Sequence, residues 1–154
     1  MPIFLLCGLA VIAMSAQMLG SLGVGMSNLS VVKDLYAAFR GRDRERILEL
    51  LHPQVEWVQA EGFPGGARRV GAEQVLSGVF DGFRDNWDDW KAGVDEYLDG
   101  GDAVIALGAY SGTFKRTSRS MHAPFAHVYR VRDGRIAHFQ QYTDTRLVAD
   151  AMSE

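Results

Sequence analysis

Cysteine is almost absent from this chain: Cys7 is the only one in 154 residues. A single cysteine excludes an intrachain disulfide framework and a zinc site built on cysteine thiolates. An excess of positive charge is also missing. Lysine and arginine number 16 against 19 aspartates and glutamates, a formal net charge of -3. That balance argues against a nucleic-acid partner, whose recognition usually needs a basic patch. The one local basic run, Lys115-Arg116-Thr117-Ser118-Arg119, is short and flanked by turn-forming residues, and reads as a solvated hairpin tip. No phosphate loop is present. The glycines of Glu61 to Arg69, EGFPGGARR, have the wrong spacing and no Lys-Ser/Thr follows them, which removes that mode of nucleotide binding. His52, His122, His127 and His138 form no metal motif: the five-residue step from His122 to His127 puts them on opposite faces of a strand. Neither a metal nor a cofactor is expected.

Basic residues are missing from the N-terminus too, where the first is Lys33. The apolar stretch Ile3 to Leu19 therefore lacks the charged start of a secretion signal. Its 17 residues also fall short of the roughly 20 that span a bilayer. Three readings stay open: a signal cleaved near Ala13-Met14-Ser15, a membrane anchor, or an upstream extension of a chain that starts at Met26. In each, residues 1–25 are a leader and 26–154 a single domain, with Gly20 to Gly25 (GSLGVG) as a flexible joint. A start at Met26 implies a cytoplasmic protein and a signal implies export. Membrane contact arises only if residues 3–19 are kept as an anchor.

What remains is an ordinary globular balance of 47% apolar and 23% charged residues. Ser30 is placed to cap a helix through Val31, Val32, Leu35, Tyr36 and Phe39, closed by Gly41. Asp43 caps a second helix from Arg44 to Leu51, which His52-Pro53 ends. Val55 to Gln59 alternates as a strand, and Gly71 to Phe83 has helical spacing. Trp87 and Trp90 fall in an acidic turn around Asp85 to Asp89. The rest reads as sheet: Lys91 to Leu98, Ala103 to Phe114, then Ala123 to Val131 and Ile136 to Tyr142 joined by an Asp133-Gly134 turn. Val148 to Met152 is a short tail. Helices followed by antiparallel strands make an α+β pattern. A twisted sheet curled around those helices forms a cone whose open end suits a small ligand.

The polar residues inside strand-like runs are the candidates for chemistry, because alternation must send some of them inward. Tyr36 shares an apolar face with Val32, Leu35 and Phe39. It is either a core tyrosine with a satisfied hydroxyl or a donor to a ligand oxygen. His127 shares its face with Phe125 and Tyr129. It is a satisfied core group, a second donor, or a general base near pH 7. Asp144 is a capping carboxylate or a displaced base. Gln140 and Gln141 face opposite sides of their strand, and Trp57 is expected on the cone wall.

The segments LYAAF-x-GRD, LHPQVEW and HVYRVRDGRI-x-x-FQQYTDT resemble the NTF2-like superfamily. Within it, the chain is most similar to the SnoaL-like and ketosteroid-isomerase-related domains, from about Leu29 to Val148. The resemblance implies a cone-shaped α+β barrel, with N-terminal helices packed in a curved, mainly antiparallel sheet. It also implies a small hydrophobic ligand and a homodimer formed through the exposed sheet face. The isomerases' oxyanion tyrosine on the first helix falls at Tyr36, and their second donor, a protonated acid, at His127. Their aspartate base falls at Gln59, which cannot accept a proton at neutral pH. The epoxide-hydrolase pattern would need acids at Gln141 and an Arg-Asp pair within Ala106 to Ser111, which has neither, so that activity is disfavoured. The resemblance also selects Gln141 as the inward glutamine. A substrate pocket is thus expected from Trp57, Phe125, Tyr129, Phe139 and Gln141. The activity implied is isomerase- or cyclase-type acid–base chemistry on a small apolar carbonyl compound. Tyr36 and His127 would polarise the oxygen, and His127 or Asp144 would move the proton. The alternative is a non-catalytic ligand-binding or dimerisation module.

Overall fold

A computed structural model describes residues 26–154. The expectations for residues 1–25, Cys7 included, lie outside the described residues. Among the described residues, no helix is long and apolar enough to cross a membrane.

Helix α1 spans Asn28–Gly41. Its cap is Ser27, which accepts a hydrogen bond from the Ser30 amide, so the helix begins a turn earlier than the Ser30 cap expected. Its other end is closed by Arg42 in the left-handed region (φ 56), not by Gly41, with the Arg42 amide returning to Ala38 and Phe39 carbonyls. Val31, Val32, Leu35, Tyr36 and Ala38 form the buried stripe that docks an amphipathic helix. Helix α2, Arg44–Leu50, starts at Asp43 as expected, and the Asp43 carboxylate accepts from the Arg46 amide.

Strand β1 follows at once, Leu51–Val58, and takes in His52 and Pro53. Proline is tolerated there because the β1 pairing with the last strand shifts register between Leu51 and Glu56, where no ladder donor is needed. Strand β2 is short, Arg68–Val70. The helical run after it is split into α3 (Ala72–Val75), a π-helical turn (Leu76–Phe80) and α4 (Asp81–Asn86).

Strand β3, Trp87–Asp99, includes Trp87 and Trp90, which corrects the expected acidic turn. Trp87 is held by the ring of Phe114 on the neighbouring strand, 5.1 Å between centroids. The acidic residues are absorbed by a bulge between Asp88 and Lys91, with Asp89 at φ 52. Strands β4 (Val104–Phe114), β5 (Arg119–Arg132) and β6 (Arg135–Thr143) complete the sheet. The β5–β6 turn has Asp133 at φ 52 and Gly134 at φ 72, the positive-φ pair of a type I′ hairpin. The order is β2-β1-β6-β5-β4-β3, parallel only between β1 and β6. This α+β, curved and unclosed sheet with the helices on its concave side is the expected cone.

Two further expectations are corrected at the C-terminus. The tail is a helix, α5 (Thr145–Met152), whose Val148 and Ala151 pack with Phe63, Met121 and Phe125. The basic tip is not merely solvated. Thr117 Oγ1 donates to the Ala151 carbonyl at 2.6 Å, and Arg119 donates to the Asp150 and Ser153 carbonyls at 3.3 and 3.0 Å. These donors satisfy the carbonyl end of α5, where positive charge is favoured.

Candidate functional site

Alternation along three neighbouring strands brings polar groups from each to the floor of the cone. Strand β5 turns Phe125, His127 and Tyr129 inward, β4 turns Ala106 and Tyr110 inward, and β6 turns Phe139 and Gln141 inward. Tyr36 reaches the same place from α1. His127 is 4% exposed and Gln141 1%, so their polar atoms must be satisfied from within.

They are, in one continuous chain. Tyr129 donates to the Tyr36 hydroxyl at 3.0 Å. Tyr36 Oη lies 2.6 Å from His127 Nδ1, and Tyr110 Oη lies 2.5 Å from His127 Nε2. Gln141 Nε2 donates to Tyr110 at 2.7 Å, while Gln141 Oε1 accepts the Ala60 amide at 2.9 Å. Phe125 stacks on the imidazole, 3.9 Å between centroids and 9° apart, and fixes its plane.

Burial sets the charge state. Desolvation lowers the His127 pKa to about 3 and raises those of Tyr36, Tyr110 and Tyr129. The imidazole is neutral and carries one hydrogen. Three hydroxyls and that imidazole therefore bring four hydrogens to three links: Tyr129–Tyr36, Tyr36–His127 and His127–Tyr110. One hydrogen is left over in either tautomer. With the proton on Nε2, Tyr36 donates to Nδ1 and the Tyr110 O–H is unspent. With it on Nδ1, Tyr110 donates to Nε2 and the Tyr36 O–H is unspent. The unspent hydroxyl already accepts two hydrogen bonds in each case, which polarises it further as a donor.

The space these groups face is an inner pocket of about 40 Å³, lined also by Trp57, Gln59, Val79, Phe139 and aromatic residues of the outer wall. The π-helical turn aims Val79 and Phe80 into it. The inner pocket shares Phe39, Phe80, Phe83, Trp90 and Ala92 with an outer chamber of about 520 Å³. Among the described residues, the buried indole N–H groups of Trp57 and Trp90 have no partner. Gln59 Oε1 accepts from Arg69 at 2.7 Å.

Of the residues expected at the site, Tyr36, His127, Trp57, Tyr129, Phe139 and Gln141 meet in the inner pocket. Phe125 does not line it, being held behind His127 by the ring stack. Asp144 does not line the inner pocket, and takes the capping place that was one of its two readings. It is exposed and caps α5, accepting from the Arg146 and Leu147 amides at 3.1 and 3.3 Å. Both ring nitrogens of His127 are engaged and burial disfavours its cation, the arrangement of a satisfied core group more than of a base near pH 7. Gln140 stays off the pocket and donates to the Gln141 carbonyl. Tyr110, Trp90, Phe80 and Phe83 were not anticipated. Period-two alternation from Val104 would have pointed Tyr110 inward. No cluster of three or more potential metal ligands exists among the described residues.

This architecture, a helix-filled cone with a polar floor, is that of the NTF2-like fold. Residues 32–139 match the model of the SnoaL-like domain, and the chain belongs to that family. Among solved structures, it is similar to an NTF2-like protein of Burkholderia thailandensis E264. That protein is 40% identical, with a TM-score of 0.77 over 80% of this chain and 95% of the other. An NTF2-like protein of unknown function from Burkholderia pseudomallei K96243 is 26% identical, TM-score 0.75, over 84% and 100% of the two chains. TerC, co-crystallised with polyporic acid, is 26% identical, TM-score 0.73, over 82% and 98%. No curated protein matches the chain.

Proposed function

We propose that the protein binds a small, mostly apolar carbonyl compound in the cone and polarises its oxygen through the unspent hydroxyl of Tyr36 or Tyr110. The observation that carries this is the surplus hydrogen of the buried tyrosine–histidine chain. A donor preorganised in a water-poor pocket stabilises charge that develops on oxygen. Such polarisation serves isomerase- or cyclase-type chemistry, in which an enol or enolate forms or adds internally. The unpartnered Trp57 and Trp90 N–H groups add donors for further acceptors on the ligand. TerC, with its polyporic acid, supports a small organic occupant.

A second reading, binding without turnover, is favoured by one observation: among the described residues, no carboxylate lines the inner pocket, and its histidine is a poor base. Under the first reading, the proton must then pass through the ligand itself, water, or an acid of the outer chamber, where Asp89 lies.

The test uses an environment-sensitive naphthyl ketone whose emission reports hydrogen bonding at its carbonyl. The expected result is saturable binding with emission of a hydrogen-bonded carbonyl. It should shift to the blue and weaken several-fold in the Tyr36→Phe/Tyr110→Phe double variant. Emission unchanged by both substitutions would sink the proposal. Native mass spectrometry of protein taken from its own host would separate the two readings: turnover of a released compound supports catalysis, and retention without conversion supports binding alone.

A further inference from the structure

The outer chamber carries more positive charge than its place in the fold requires. Arg40 and Arg42 reach it from the end of α1, and Lys91 from β3 across the opening. Among the described residues, none of the three has a carboxylate partner. The fourth cation, Arg44, is neutralised by Asp81 at 2.6 Å. Among the described residues, Asp89 is the one other carboxylate on the lining. Three unpaired cations thus face one carboxylate, in a chain whose net charge is -3. Complementing the α1 dipole accounts for cations at its C-terminus, but not for Lys91 on a different element facing the same cavity.

The wall between the cations and the floor is aromatic. Phe83 and Trp90 stack at 4.2 Å and 6°, and the rings of Phe39 and Phe80 pack tilted at 5.1 Å and 55°. A flat ring system fits against such a wall, and a charge beyond it would reach the arginines. We infer that the ligand is an anionic aromatic compound, its carboxylate or acidic phenol held by Arg40 and Arg42 at the mouth while its body lies against Phe83 and Trp90. The orientation, with the carbonyl end inward, rests on the proposed function. The anion site itself does not.

The test uses two fluorescent probes with one skeleton, anilinonaphthalenesulfonate and its uncharged analogue phenylnaphthylamine, with the folded state checked by thermal melting. The Arg40→Gln/Arg42→Gln double variant is expected to bind the sulfonate about tenfold more weakly at low salt, and the neutral probe within twofold of the parent. Added salt should weaken sulfonate binding to the parent and hardly change the variant. Lysine at both positions should restore most of the loss. Trp90→Ala should weaken both probes. Sulfonate affinity within twofold of the parent in the double variant, or an equal loss of both probes, would overturn the inference. These arms do not involve the tyrosines. A ketone probe indifferent to Tyr36→Phe/Tyr110→Phe would therefore remove the floor reading and leave the anion site standing.

Discussion

The buried, neutral His127 makes the stability of this domain depend on pH in a defined window. Its pKa is lowered from 6.5 to about 3 in the folded chain, while the unfolded chain titrates near the ordinary value. Above 6.5 neither state binds the proton. Between 6.5 and 3 only the unfolded state binds it, so stability falls as pH falls. At about pH 5 the loss from this group is about 2 kcal/mol, and at the lower limit it approaches about 5 kcal/mol. That is comparable to the whole stability of many domains. The perturbation is His127→Gln, which keeps a donor and an acceptor but cannot titrate. The assay is urea unfolding of both proteins at neutral pH and at about pH 5. The variant should be less stable at neutral pH by about 1–3 kcal/mol, since Tyr36 and Tyr110 lose well-placed partners. The gap should narrow by about 2 kcal/mol at the lower pH. Contributions of the other histidines and the carboxylates cancel in that difference. Parallel losses in the two proteins would refute the neutral, buried imidazole and the proton count built on it.

Three further outcomes follow from the contacts. Asp144→Ala removes the α5 cap and should cost about 1 kcal/mol in urea unfolding, with naphthyl ketone affinity unchanged; a large loss of affinity would restore Asp144 to the site. Tyr110→Phe leaves Gln141 Nε2 and His127 Nε2 short of a buried partner. It should destabilise by about 1–3 kcal/mol, and a value near zero would mean that the chain of links is not formed in solution. A Cβ at Gly108 would overlap the Gly93 carbonyl, and backbone cannot yield as a side-chain tip can. Gly108→Ala should therefore lower the melting temperature steeply, and a melt within a degree or two of the parent would contradict the β3–β4 approach.

Most of the fold was legible in the chain because its signals are local. Asp133-Gly134 announces a positive-φ turn, and the alternation on either side fixes which residues of β5 and β6 share a face. His127 with Phe125 and Tyr129 could be grouped on that ground alone. The missed elements fail for equally physical reasons. Thr145 to Met152 is too short to declare itself by propensity, and forms because Val148 and Ala151 bury against Phe63 and Phe125 while the β4–β5 tip caps the far end. Trp87 and Trp90 sit among aspartates that read as a turn, and a bulge at Asp89 reconciles the two.

The site divides along the same line. The resemblance implied that Gln59 and Gln141 stand where relatives carry acids; the sequence by itself determined that Tyr36 and His127 lie on inward faces and that Asp133-Gly134 joins the two strands carrying the floor. Those facts follow from residue identity and period. Only the tertiary structure decided that His127 is enclosed on both sides by tyrosine hydroxyls, because Tyr110 arrives from β4 and Tyr36 from a helix 91 residues away in the chain. Desolvation, and with it the neutral imidazole and the spare hydroxyl hydrogen, depends on what surrounds a group, and no stretch of sequence contains its own surroundings.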